Sequence, residues 1–152
     1  MKTVKKNVYY CDFCKKRGLS ASSMSKHEKH CTANPNRICR LCENSLNIGE
    51  IVTELKKRFV IKQVTLSGSQ YFEGEMDIEV VEWIGEPITF GEVENIAENC
   101  PNCMLAIIRQ TGLSQHPFDN EIGINQFNFK YKEYSSSYFA DKQRDNYNDG
   151  YM

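Results

Sequence analysis

Several absences narrow this chain before any motif does. Nowhere in its 152 residues do about 18 apolar residues run together, which excludes a membrane-spanning helix. The opening Met1-Lys2-Thr3-Val4-Lys5-Lys6-Asn7 carries charge with no apolar run behind it, so no secretory signal is expected. A reducing cytoplasm is then the expected compartment, where thiols stay free or bind metal. Disulfides would need an oxidising compartment and would strand one of the seven cysteines. Histidine is scarce, at three residues, which leaves little material for histidine-based catalysis. Basic residues are missing altogether between Lys62 and Arg109, a stretch that holds nine acids (Glu73, Glu75, Asp77, Glu79, Glu82, Glu86, Glu92, Glu94, Glu98).

The net charge of −1 therefore conceals a strong asymmetry. Residues 1–42 hold ten Lys/Arg against Asp12 and Glu28, a balance of +8. The remainder holds nine against eighteen, a balance of −9, and the two parts sum to −1. A basic head on an acidic body points toward nucleic acid at one end. Either region can equally be a solvated face; for the acidic stretch that is the favoured expectation.

What the chain does have is ligands. All seven cysteines and one histidine fall into four pairs: Cys11/Cys14, His27/Cys31, Cys39/Cys42 and Cys100/Cys103. Two tetrahedral zinc ions would use this set with nothing left over. A zinc ion with no open coordination position is a folding element rather than a reagent.

In the first set, Cys11-Asp12-Phe13-Cys14 is a two-residue knuckle that aims two thiolates at one ion. His27 follows after twelve residues and Cys31 four positions later. Positions i and i+4 share a helix face, so Nε2 of His27 and the Cys31 sulfur converge. Ser20-Ala21-Ser22-Ser23 offers N-cap oxygens for that helix, and Met24 is its expected buried anchor. His30 competes with His27, but its spacing to Cys31 fits the helix face less well.

This C-x2-C-x12-H-x3-C pattern resembles the two-cysteine two-histidine zinc finger, with the last histidine replaced by cysteine. The resemblance covers roughly residues 8–32 and implies a ββα-like finger. The family's apolar leucine maps to Met24. Its usual aromatic after the knuckle is missing, so Leu19 would have to substitute. The family's base-reading helix positions map to Ser20, Ser23 and Lys26. These lack the Arg–guanine or Asn–adenine forks that give about 1–3 kcal/mol of discrimination per base pair. Lys15, Lys16, Arg17, Lys26 and Lys29 are then expected on phosphates, giving salt-sensitive and sequence-tolerant binding.

Asn34-Pro35-Asn36-Arg37 turns the chain away from the finger helix. Cys39-Arg40-Leu41-Cys42 and Cys100-Pro101-Asn102-Cys103 then supply a four-cysteine site whose pairs lie 57 residues apart. A metal clipping the ends of a long insert is tolerable because loop entropy grows slowly with length. Within the insert, Ile48, Ile51, Val52, Leu55 and Phe59 recur at helical spacing over about three turns. Residues 60–66 and 76–84 are β-branched and read as a hairpin. Thr89-Phe90-Gly91-Glu92 reads as a capping box opening a short helix through Glu98. Another helix begins at Cys103 and ends near Gly112, placing thiolates at its N-terminus where the dipole favours them. Phe127, Tyr131, Tyr134 and Tyr138 share one face of a final helix capped at Asn125, and residues 145–152 are expected to be loose.

The predicted fold is α+β, small and zinc-stabilised: an N-terminal ββα-like finger, then a zinc-ribbon-like four-cysteine module with a helical and hairpin insert. The expected division is residues 1–33 for the finger and 34–112 for the four-cysteine module, with its acidic insert at 43–99. Residues 113–152 form the aromatic helix and tail. The whole arrangement is similar to small zinc-finger proteins encoded by tailed bacteriophages. The residues carrying that likeness are the finger with Asn34–Arg37, the two later knuckles, Met104-Leu105-Ala106, Arg109-Gln110 and the aromatic helix. It implies work in a bacterial cytoplasm and supplies little about function.

Enzymatic roles are not expected. A catalytic zinc keeps three protein ligands and one open position, whereas both sets here close. No deaminase H-x-E…P-C-x-x-C pattern is present, since Pro101 lies inside the knuckle. A histidine nuclease would have only His30 and His116 to draw on, and His116-Pro117-Phe118-Asp119-Asn120 reads as a surface turn. A cross-braced pairing, with Cys11/Cys14 joined to Cys39/Cys42, is disfavoured by the long insert and by the H-x3-C helix. Two readings remain: a nucleic-acid-binding zinc protein with weak specificity, and a protein–protein adaptor whose zinc modules hold the acidic hairpin and aromatic helix. No small-molecule substrate is expected. An autoinhibitory variant would lay the acidic body on the basic head.

Overall fold

The computed structural model describes residues 5–42, 46–69, 72–114, 127 and 129–149. The turn at His116–Asn120 and the proposed cap Asn125 lie outside the described residues. Among these residues the chain forms two separate antiparallel ribbons and five helices, an α+β fold as the sequence predicts.

The finger comes first. Strands β1 (Tyr9–Tyr10) and β2 (Arg17–Gly18) pair in the register Tyr9↔Gly18 and Tyr10↔Arg17. Helix α1 (Ala21–His30) follows, with Ser20 as its N-cap accepting the Ser23 amide at 3.4 Å. Met24 is buried with Cys11 and Cys31, and Tyr9 and Ala33 pack at the edge. Gly18 makes this possible: a Cβ there would sit 2.8 Å from the Met24 Cε. Leu19 does not substitute for the missing aromatic, being 64% exposed. It follows Gly18 out of the short β2 strand and faces solvent, and Tyr9 on β1 covers the metal side instead.

Beyond α1 the chain folds back along the helix. Buried Asn34 donates Nδ2 to the Glu28 carbonyl at 2.7 Å and accepts the Asn36 amide at 2.9 Å. The Ile38 amide donates to the Lys29 carbonyl at 2.9 Å. Each bond satisfies a helix-end or turn group that would otherwise be stranded.

Helix α2 (Ile48–Lys56) is capped by Asn47, whose Oδ1 accepts the Glu50 amide at 3.3 Å. It is shorter than its apolar period suggests. Phe59 opens strand β3 (Phe59–Ser69), which pairs with β4 (Phe72–Trp83) in register from Phe59↔Trp83 to Leu66↔Met76. The β-branched run and the Phe59–Trp83 edge contact at 5.8 Å override the helical period there. At its base this ribbon joins the core through Phe59 and Val81; farther out, Ser67–Gly68 and Glu73–Asp77 are exposed.

Helix α3 (Phe90–Ile96) starts at Thr89, whose hydroxyl accepts the Glu92 amide at 3.1 Å. The Glu92 carboxylate turns to Arg58, at 2.5 Å from Nη1, and Arg58 also donates to the Glu86 carbonyl. That clamp joins the α2–β3 corner to α3. Helix α4 (Pro101–Thr111) has proline at its start and ends on Gly112 at φ 84°, a left-handed cap that glycine adopts without strain. Its Met104, Ala106, Ile107 and Ile108 are buried in one cluster with Ile48, Val52 and Leu55 of α2, Val93 of α3 and Ala97 just past the end of α3. Full burial of the methionine and isoleucine side chains contributes about 1.5–3 kcal/mol each.

Helix α5 (Tyr131–Asp149) begins four residues later than the aromatic spacing predicts. Phe127 precedes it and is fully buried in the core beside Phe90, at 6.5 Å between rings. Tyr131, Tyr134 and Tyr138 form the half-buried face of α5, as their spacing predicts. Tyr131 donates to Asn102 Oδ1 at 2.7 Å, and Tyr134 donates to Glu94. Burial and the Glu94 carboxylate together push the Tyr134 hydroxyl up to about 12. Residues 145–149, expected to be loose, continue the helix. Among the described residues no helix is long and apolar enough to cross a membrane.

Candidate metal centres and the groove between them

The eight predicted ligands gather as two groups of four. Cys11, Cys14, His27 and Cys31 form one; Cys39, Cys42, Cys100 and Cys103 form the other. Within each, all ligand atoms lie within 4.8 Å of one another. The cross-braced pairing is therefore not the one the chain adopts.

In the finger centre, the knuckle is tied back by two backbone bonds. The Lys15 amide donates to the Cys11 carbonyl at 3.0 Å and the Cys11 amide to the Lys16 carbonyl at 2.9 Å. Lys15 sits at φ 59°, the left-handed turn that brings both sulfurs to one side. The Glu28 carboxylate accepts the Asp12 amide at 3.0 Å, pinning the knuckle to α1. His27 Nε2 lies 3.2 Å from Cys14 Sγ. Cys31 lies just past the helix, at φ −61° and ψ 130°, so the ligand pair spans the helix end rather than a full helical turn.

The second centre is built on the core. Cys39, Cys100 and Cys103 are buried within it, and Cys42 packs against it. Glu98 and Asn99, at φ 51° and 59°, turn the chain so that Cys100 becomes the N-cap of α4 and Cys103 lies in its first turn. The Leu41 amide donates to Cys39 Sγ at 3.4 Å. Sulfur pairs Cys39–Cys100 and Cys42–Cys103 stand 3.6 and 3.7 Å apart.

The sulfur–sulfur separations of the second centre fit a tetrahedral metal, and the 3.2 Å between Cys14 and His27 is a little shorter than such an edge. Bonds of about 2.3 Å to sulfur put neighbouring sulfurs about 3.8 Å apart, and a nitrogen ligand shortens that edge to about 3.5 Å. The surroundings of the second centre fit as well. Arg37 is only 6% exposed, donates Nη1 to Cys103 Sγ at 3.8 Å, and has no carboxylate partner among the described residues. A buried cation without a counter-charge is strongly unfavourable. Four thiolates around a divalent ion carry a formal charge of −2, which supplies that counter-charge.

Thiol acidity is already uneven in both groups. Burial pushes the Cys14 thiol up, but hydrogen bonds with His27, the Lys16 backbone and the neighbouring thiols outweigh it and bring it down to about 7. Burial raises Cys31 to about 11. The Cys103 thiol donates to Cys100 and, against the effect of burial, brings Cys100 down to about 5, while Cys103 itself is pushed up. A metal ion binds thiolates, so it takes the place of thiol protons in each group.

A groove of about 470 Å³ runs between the centres. The finger lines it with Lys16, Ser23, Lys26, His27 and His30; Thr32, Arg37, Arg40 and Asn102 line the other side. Both of its walls are fixed. Arg109 Nη1 donates to Thr32 Oγ1 at 2.8 Å, and Gln110 Nε2 donates to the Thr32 and Asn34 carbonyls at 2.8 and 3.1 Å. His30 donates Nδ1–H to the Ile38 carbonyl at 2.8 Å.

Of the predicted phosphate and base contacts, Lys16, Ser23 and Lys26 line this groove. Lys15, Arg17, Ser20 and Lys29 do not. Lys15 Nζ donates to the Asp12 carbonyl at 2.8 Å, and the Ser20 hydroxyl is occupied as a helix cap. Sequence reasoning missed His30, Arg37, Arg40 and Asn102. Arg40 and Asn102 lie inside the two knuckles of the second centre, so the metal geometry that positions sulfur also positions them; knuckle residues were a usable signal. Against family models, curated proteins and solved structures alike, the chain finds no match.

Proposed function

We propose that this is a non-enzymatic nucleic-acid-binding protein in which two zinc ions hold a basic groove in shape. The observation that carries the reading is the groove lining: four Lys/Arg (Lys16, Lys26, Arg37, Arg40), two histidines and no carboxylate. In a chain of net charge −1, such a concentration of positive charge in one concavity favours a polyanion. Zinc is the metal that suits two closed, thiolate-rich tetrahedral sets, and closure leaves no position for a reacting water. Ser23 and Lys26 contribute no base-specific fork, so affinity comes from phosphates and specificity is weak. The likeness to phage zinc-finger proteins adds a bacterial cytoplasm as the setting, with a regulatory or DNA-processing accessory role.

The test is anisotropy of a labelled oligonucleotide, duplex and single-stranded, titrated with the zinc-loaded full chain across a series of salt concentrations. Binding is expected to weaken steeply with salt. The double variant Lys26→Glu, Arg40→Glu changes two exposed groove residues and is expected to bind at least about tenfold more weakly, with the salt slope reduced by about two. Binding unaffected by the double variant would move the interface elsewhere. No binding by the wild type would turn the search to a protein partner for the acidic ribbon.

A further inference from the structure

We propose that the floor of the basic groove is a phosphate subsite anchored by Arg37. That a nucleic-acid phosphate occupies it rests on the reading above; the existence of the subsite does not. Arg37 lines the groove yet is almost fully buried. A guanidinium carries five N–H donors. Here Nη1 makes one long contact to Cys103 Sγ at 3.8 Å, and Nε has no hydrogen-bond partner. The metal centre answers the charge of the guanidinium but not this donor; a buried N–H without an acceptor is costly, and a phosphate taking it in a bidentate fork would complete the set.

The groove supplies the rest of such a site. Lys26 and Arg40 are exposed cations on opposite walls, with Lys16 beside them. His30 has Nδ1–H committed to the Ile38 carbonyl, so its Nε2 faces a ligand as an acceptor in the neutral ring and as a donor in the protonated one. Asn102 accepts from Tyr131 through Oδ1, leaving its amide nitrogen to donate. The volume, about 470 Å³, is that of a pocket for one small ligand. A duplex, whose major groove alone is about 12 Å wide, would lie across the mouth, so what enters is a single phosphate group. That group belongs either to a strand or to a free phosphate anion.

Inorganic phosphate is the probe, added to the ¹⁵N-labelled, zinc-loaded full chain with chloride at matched ionic strength as the control. Saturable shifts of the Arg37 Nε–Hε and His30 signals, seen with phosphate and not chloride, are expected. Arg40→Ala should weaken that response about tenfold. Arg37→Lys, which keeps the charge and loses the fork, should lose it too; exposed Arg40 keeps the test readable if the buried variant does not fold. Equal shifts with chloride, or an unchanged response in Arg40→Ala, would overturn the subsite. Competition by phosphate against a bound oligonucleotide assigns it to a strand. Saturation with no oligonucleotide binding upholds the subsite for a free anion and removes the nucleic-acid reading. Oligonucleotide binding with a groove blind to phosphate does the reverse.

Discussion

Cys100→Ser is expected to unfold the body of the protein, whereas Cys14→Ser is expected to cost only the finger. The two centres are embedded differently. Cys39, Cys100 and Cys103 belong to the same buried cluster as Ile48, Val52, Leu55, Met104 and Ile107. The finger centre shares its small cluster with Met24 alone, and Tyr9 and Ala33 at the edge. Structural zinc contributes roughly 10–16 kcal/mol of apparent binding free energy in finger peptides. Total folding stability of a domain is about 5–15 kcal/mol. Losing the second metal therefore removes as much as the fold has in hand, and it also leaves Arg37 buried beside a broken counter-charge. Metal analysis of the purified chains should give two zinc ions for wild type and one for Cys14→Ser, which should keep a cooperative thermal transition. Cys100→Ser should show no such transition. Two zinc ions retained in Cys14→Ser would overturn the ligand assignment, and a cooperative Cys100→Ser would place the core's stability in packing rather than in metal.

The ligand sets were legible because metal geometry leaves a local trace. A knuckle is a four-residue event, and Cys11/Cys14, Cys39/Cys42 and Cys100/Cys103 read the same in sequence and in space. Helix starts were legible for a similar reason, since Ser20 and Thr89 each cap through a bond spanning three residues. Boundaries set by distant partners were not. Phe59 fits the helical period of α2, but Trp83, paired to it across the ribbon, draws it into β3. Phe127 fits the period of α5, but the core around Phe90 takes it before the helix begins. The groove was half legible. Lys16 and Lys26 lie on the finger, while Arg37 and Arg40 complete the wall because Arg109 and Gln110, more than seventy residues away, fasten the intervening turn. No local pattern encodes that contact.

Phe127→Ala is expected to lower stability by about 3–5 kcal/mol, the range for removing a fully buried aromatic ring. Phe127 is fully buried, and its ring stands against Phe90, which in turn meets Phe129 and Tyr134 at 5.9 and 6.4 Å. The truncation would open a void at the point where α3, α4 and the start of α5 converge. Neither metal centre draws a ligand from this segment, so both zinc ions should remain bound. The thermal midpoint should fall by about 10 °C in a chain of this length. Phe139→Ala is the matched control: it removes the same ring from α5, where Phe139 is 47% exposed, and should change stability by no more than about 0.5 kcal/mol. Urea unfolding of the two variants, with zinc content measured alongside, separates the cases. A small effect for Phe127→Ala would mean that this aromatic cluster closes over the gap, and that α5 is held chiefly by the Tyr131–Asn102 and Tyr134–Glu94 hydrogen bonds.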